Sequence, residues 1–294
     1  MVFERPLICT DFGDGLDRLA RMVPSFLSGG IQELVFLSVV PYRLERDIPR
    51  EDTEAIAAAQ QRLGQALQGA PHGPVTVAVR SGRPEDVILA VAEEFRCDAV
   101  VVGGASHSLL EEKLFGSTAI ALGQRGTVPL LILRPQLLSA LTLEELDLRC
   151  RHLVRQVLVP HNGGPSAERA TARLLALIQR QRDRGLPVAV ERCWLYQAVE
   201  EIRNLPMESV LAEHRDRLGR VQDQFAALGV AAEVLVEPGS FLPGLMAVAQ
   251  EYDVSAIVIA SRHRNFFLDW SVPNSGQRVL RRSLHPVLFF PSRA

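Results

Sequence analysis

The sequence predicts an α/β protein made of two doubly wound, five-stranded parallel-sheet domains related by a pseudo-twofold. Three observations predict it. The chain repeats itself at a fixed offset, short apolar runs alternate with segments of helical spacing, and those runs are continuously apolar, as strands buried on both faces must be.

The repeat is direct. "SGRPEDVILAVAEEFRCDAVVVGG" (81–104) matches "PGSFLPGLMAVAQEYDVSAIVIAS" (238–261) at an offset of 157, with Gly82 on Gly239 and Ala99 on Ala256. The same offset carries Pro129 onto Pro286, and "PLICTDFGDG" aligns with "QVLVPHNGGP" at an offset of 151, placing Asp11 opposite Asn162. In the first half the strands are "LICT", "ELVFLSVV", "VTVAV", "AVVVG" and "PLLIL", with helices at "EDTEAIAAAQQRLGQALQ" and "PEDVILAVAEEF". The second half repeats the order with "QVLVP", "VAVERCWL", "AAEVLVE", "AIVIA" and "PVLFF". Domains are expected over 1–135 and 153–294, joined by a packed helical connector over 136–152, with the last strands (129–133 and 286–290) as contacts between the halves.

The totals narrow the function. A chain of 294 residues exceeds one comfortable core, and 47% hydrophobic with 22% charged residues is a globular composition. A formal charge of -2 gives no reason to expect nucleic acid or an acidic membrane as partner. Cys9, Cys97, Cys150 and Cys193 show no C-x-x-C spacing and read as reduced and buried. The opening "MVFERPLICTD" meets Asp11 too early for a secretory leader, and no run approaches a membrane span, so a cytoplasmic location is expected. No H-E-x-x-H, G-x-S-x-G or G-x-x-x-x-G-K-[ST] occurs, and Gly29-Gly30 reads as a helix stop.

The informative stretch is "VVGGASHSLLEEKLFGST" (101–118). Open parallel sheets bind ligands beyond the carboxyl ends of their strands. Asp11 ends the first strand, Val39 and Val40 the second and Gly103 the fourth, so adjacent first and fourth strands would line one crevice. Gly116-Ser117-Thr118 opens a helix, whose free N–H groups and hydroxyls suit phosphate oxygens, while glycine at 103 and 116 permits close backbone approach. The plainer reading makes these glycines turn punctuation, Ser117 an N-cap and Asp11 a helix cap.

The stretch resembles the nucleotide loop of the universal stress protein family: Gly, two residues, Gly, nine residues, Gly, then Ser or Thr. Here it reads Gly103, Gly104-Ala105, Ser106, "HSLLEEKLF", Gly116, Ser117. "LICTDFGD", "FLSVVP" and "VPLLIL" are similar to the family's first, second and last strands, so the chain looks like a tandem member. The resemblance implies strand order 3-2-1-4-5 in each half. It also implies ATP or AMP in the first domain, with Asp11 and Val39 on the nucleoside, Gly103 at the ribose–phosphate turn, Gly116, Ser117 and Thr118 on the phosphates, and Ser106 as a further binding position in the loop; whether Mg2+ accompanies the nucleotide is left open. Two positions depart from the pattern: Ser106 replaces the second glycine, and Glu111-Glu112 stands where basic residues are common.

In the second half the loop becomes Ala260-Ser261-Arg262-His263, "RNFFLDWSV", Pro273-Asn274-Ser275, with all three glycines gone. Pro273 has no N–H to donate. Arg262, His263 and Arg264 read as a surface basic cluster or, by their charge, as an anion-binding group, and Phe266, Phe267 and Trp270 as a crevice plug or a partner surface. His107 and His161 read as polar loop residues, and "EHRDRLGR" (213–220) as a solvated helix face. The expectation is a stress-associated adenine-nucleotide regulatory protein, not an enzyme, acting on an unknown protein partner as an intramolecular pseudo-dimer, with a homodimer also open. The alternatives are a nucleotide-independent interaction module with closed crevices, and slow ATP hydrolysis, for which no base beyond Asp11 is evident.

Overall fold

The computed structural model describes every residue except 1, 14, 46–47, 71–72, 104–116, 201–205, 262–274 and 294. The chain divides into two compact units, essentially Phe3–Arg151 and His152–Ser292. The connector therefore packs with the first.

In the first unit the elements run β1 (Pro6–Cys9), a 3-10 turn (Leu16–Met22), α1 (Val23–Ser28), β2 (Leu34–Val40), β3 (Arg43–Glu45), β4 (Ile48–Arg50), α2 (Thr53–Ala66), β5 (Val75–Ser81), α3 (Pro84–Glu94), β6 (Ala99–Gly103), α4 (Ser117–Arg125), β7 (Leu130–Leu133), α5 (Pro135–Leu138) and α6 (Leu143–Arg151). The main sheet orders β5-β2-β1-β6-β7, all parallel, which is 3-2-1-4-5 among its own strands. The small antiparallel β3–β4 ribbon is an addition that the apolar pattern did not signal, since both strands are short and β4 is exposed. β1 and β7 are buried throughout because helices cover both faces. Asp98 anchors the start of the sheet, its carboxylate accepting from the N–H groups of Glu4 (2.8 Å) and Arg5 (2.9 Å).

The single connector helix expected over 136–152 is two helices. Thr142 Oγ1 accepts from the Glu145 N–H, and Glu145 returns a bond to the Leu141 N–H, so a reciprocal cap restarts the helix at Leu143. Arg149 donates back to the carbonyls of Gln136 and Leu137 in α5, and Ser25 of α1 donates to Asp147, tying α6 to both.

The second unit runs β8 (Gln156–Pro160), α7 (Pro165–Asp183), β9 (Arg192–Val199), α8 (Met207–Ala227), β10 (Ala231–Pro238), α9 (Phe241–Glu251), β11 (Ala256–Ala260), α10 (Ser275–Arg282) and β12 (Val287–Phe290), with sheet order β10-β9-β8-β11-β12, again parallel. Ser255 replaces Asp98 and still ties the first strand, accepting from the Gln156 N–H and donating to its carbonyl. β9 begins four residues later than "VAVERCWL" suggests. Its pairing with β8 starts at Gln156↔Arg192, while Ala189 is held outside the sheet by Gln181 Oε1. All four cysteines are buried free thiols, and burial pushes Cys97 and Cys150 up to about 12, out of reach of thiolate chemistry at neutral pH.

The two halves can be superposed by their ladders. Thr10 N–H donates to Leu37 O as His161 N–H does to Tyr196 O, and Gly82 N–H to Val40 O as Gly239 N–H does to Val199 O. Thr10 thus corresponds to His161, Leu37 to Tyr196 and Ser38 to Gln197. Tyr196 is fully buried, and a methyl added at Gly244 on α9 would stand 1.9 Å from its hydroxyl oxygen. Gly244→Ala is therefore expected to lower the unfolding free energy by about 2–3 kcal/mol. Gly219→Ala, on α8 with nothing within 4 Å of the new methyl, should raise it by about 0.5–1 kcal/mol. Urea titrations giving both variants the same midpoint would contradict this packing.

Candidate functional site

The strands of each unit end at one edge, and there the first unit assembles most of the expected residues. Beyond β1 the chain makes two overlapping side-chain turns: Thr10 Oγ1 accepts from the Phe12 N–H (2.9 Å) and Asp11 Oδ1 from the Gly13 N–H (2.8 Å). Phe12 adopts φ 65°, a left-handed conformation that costs a bulky residue strain. Arg62 of α2 covers it, its guanidinium 4.4 Å from the ring centroid, 3.4 Å from the Phe12 carbonyl and 3.3 Å from Asp17.

Asp11 is exposed at this edge, and Val39, half-buried, lies in β2 directly alongside. β6 does pair with β1, so Gly103, its last residue, shares the edge and pairs with Leu133 of β7. The connection from β6 to β7 is a parallel crossover, which brings the start of α4, with Ser117 exposed and Thr118 half-buried, back to the same edge. Ser106, Gly116, Glu111-Glu112 and His107 lie outside the described residues. One group the sequence reading missed is Arg134, immediately after β7 and 3% exposed. Burial lowers its pKa to about 10, which leaves it protonated at neutral pH. A charge directly after the apolar run "LLIL" was the available signal.

The second unit keeps the turn and changes its chemistry. Asn162 Oδ1 accepts from the Gly164 N–H at 3.0 Å, so Asp-to-Asn preserves the geometry without the charge. Gly163 takes the left-handed position of Phe12, at φ 75°. His161 is a correction: expected as a polar loop residue, it is 3% exposed, because its backbone continues the β8–β9 ladder and draws the ring inward. The Gly163 N–H points to its Nδ1 at 3.3 Å. "EHRDRLGR" is a second correction, since a helix packed on a sheet must turn one face inward. His214 and Arg217 of α8 are half-buried, Arg217 donates to the buried Gln197 Oε1, and a methyl on Gly163 would meet its guanidinium at 2.8 Å. Burial, and then the neighbouring Arg217 charge, push the pKa of His161 and of His214 down; Glu168 and Glu213 pull back weakly. The basic run at 262–264 and the aromatics Phe266, Phe267 and Trp270 lie outside the described residues. Among those residues no cluster of His, Cys, Asp and Glu could hold a metal ion, and no helix is long and apolar enough to cross a membrane.

Against known proteins, the family model described as "Universal stress protein family" matches the chain twice, over residues 3–134 and 154–291. Among solved structures, a universal stress protein from Archaeoglobus fulgidus is similar over 98% of both chains at 18% identity, with a TM-score of 0.66. A protein from Pseudomonas aeruginosa assigned to the same family covers 99% of this chain and 94% of its own at 15% identity, with a TM-score of 0.60. No curated protein matches the chain significantly by sequence.

Two outcomes follow from the second turn. Gly163→Ala combines a left-handed backbone with the Arg217 contact and should cost about 1–2 kcal/mol in urea unfolding. His161 and His214 have folded pKa values below the unfolded value of about 6.5. The unfolded chain then binds more protons, so their contribution is complete above about pH 6.5 and is lost as pH falls through the lowered folded values. His161→Gln should flatten the fall in urea midpoint between pH 7.5 and 5.5, and an unchanged slope would contradict the assignment.

Proposed function

The chain belongs to the universal stress protein family, as two family units in tandem, and from that premise we propose that its first unit binds an adenine nucleotide, ATP or AMP, and that the bound state regulates an interaction with a protein partner. The observation that supports this reading is the gathering of Asp11, Val39, Gly103 and the start of α4 at the carboxyl edge of one parallel sheet. Asp11 supplies an acceptor for a ribose hydroxyl or an exocyclic amine, and the half-buried Val39 an apolar wall for the base. Gly103 lets the chain pass close to the ribose–phosphate junction. Ser106, Gly116, Ser117 and Thr118 take the phosphates, at a helix start whose unpaired N–H groups favour anions. The protonated Arg134, one residue beyond β7, adds positive potential at the same edge.

The second unit is assigned no nucleotide. Its first turn carries Asn162 in place of Asp11, and its loop has lost all three glycines and gained Pro273. The binding residues hold and orient a ligand and include no base other than Asp11, so the reading is a sensor in which occupancy, not turnover, carries the signal.

The test is to denature freshly purified protein and identify the released nucleotide by mass, beside the double variant Gly116→Val, Ser117→Ala. A single equivalent of ATP or AMP is expected, with affinity for added ATP reduced at least about tenfold in the variant. Two equivalents would assign a nucleotide to the second unit as well. A protein that emerges empty and fails to take up added ATP would sink the proposal and leave the nucleotide-independent interaction module.

A further inference from the structure

The second unit's crevice carries a feature that lies outside the nucleotide reading. Arg217 is a half-buried cation with no carboxylate partner among the described residues. Its Nη2 donates to Gln197 Oε1, its Nε is shielded from solvent and meets no acceptor, and its guanidinium rests against Gly163. His214, one turn earlier on the same face of α8, likewise has a shielded Nδ1 with no partner. Polar atoms left in that condition forgo the hydrogen bonds that water would give them in the unfolded chain. His161 uses Nδ1 as the acceptor for the Gly163 N–H, which leaves Nε2 as the protonated nitrogen of the neutral ring. Asn162 uses Oδ1 for the Gly164 N–H, which leaves its amide N–H groups to donate.

Position by position, this inverts the first unit. There the same places hold Thr10, Asp11 and Ser38, and the covering arginine, Arg62, is matched by Asp17 at 3.3 Å. The second unit offers donors and a cation unmatched among the described residues instead. Glu168 of α7 bears on His161 and Glu213 of α8 on His214, and among the described residues neither forms an ion pair with Arg217.

We infer that the carboxyl edge of the second unit is a binding site for a small oxyanion, a carboxylate or a phosphate monoester, held by Arg217 with His161, His214 and Asn162. A guanidinium donates charge-assisted hydrogen bonds to the oxygens of either group. The site differs from the nucleotide crevice in unit and in residues, and it stands whether or not the first unit binds ATP.

The test uses the full-length chain with labelled histidines, each signal assigned by a single His→Gln variant. Inorganic phosphate and acetate are titrated in separately at constant ionic strength. The His161 and His214 signals are expected to shift saturably while His152 and His285 stay still. Arg217→Met should weaken that saturation at least about tenfold, and Arg217→Lys should restore part of it. An unmoved His285 signal reports that the variant is folded. Saturation by phosphate alone assigns a phosphate monoester, and saturation by acetate as well assigns a carboxylate. If neither probe saturates the wild-type signals, or if Arg217→Met titrates like wild type, the proposal is overturned.

Discussion

Parallel strand pairing is the constraint on which the rest of this molecule depends. A parallel pair cannot be closed by a tight hairpin, so each strand must be followed by a crossover that returns the chain to the starting edge. Helices consequently cover both faces, and the strands must be apolar throughout, as β1, β6 and β7 are. The same rule sends every segment that follows a strand to one edge. Thr10, Ser38 and Gly103 are distant in sequence and come together there for no other reason. Site and core are two results of one pairing geometry.

At that edge the backbone has been kept more faithfully than the side chains. In both units an Asx oxygen accepts from the N–H two residues on, the intervening residue is left-handed, and an arginine from the helix before the third strand lies against it. Within the same turn Thr10 has become His161, Asp11 Asn162 and Phe12 Gly163, and on the neighbouring strand Ser38 has become Gln197. Asparagine replaces aspartate without disturbing the turn because the turn needs one oxygen and no charge. That indifference is what lets the same turn carry a charged residue in one unit and a neutral one in the other.

The architecture was legible in the sequence because it rests on periodicity and repetition, which a chain displays without folding. β6, β8 and β11 run as the apolar stretches read, and the register of the repeat reappears in the ladders. Asp11, Val39 and Gly103 could be placed because strand ends are set by the same pattern. What stayed hidden depended on which face a residue turns inward. The run "EHRDRLGR" has the charge spacing of a solvated helix, and only the packing of α8 beside β9 brings Arg217 to Gln197. His161 reads as polar and loop-bound until the ladder continues through its N–H and draws the ring into the interior. The connector broke into two helices through a cap at Thr142 and Glu145, a local signal that a leucine-spacing argument passes over.

The buried Tyr196 and its glycine neighbour constrain the order in which this protein can change. At the positions corresponding to Tyr196 and Gly244 the first unit carries Leu37 and Val87, so the two copies distribute side-chain volume in opposite ways. Val87 accordingly crowds Gly82, whose added methyl would stand 2.7 Å from its Cγ2, whereas Gly239 has nothing within 4 Å. Passing from the second arrangement to the first takes two substitutions, and their sequence is not free. A side chain at position 244 collides with the phenol while Tyr196 remains, whereas shrinking Tyr196 first leaves only a void that the later valine can occupy. The two halves are thus separated by a mutational path of fixed order, passable in either direction through the cavity and closed through the clash.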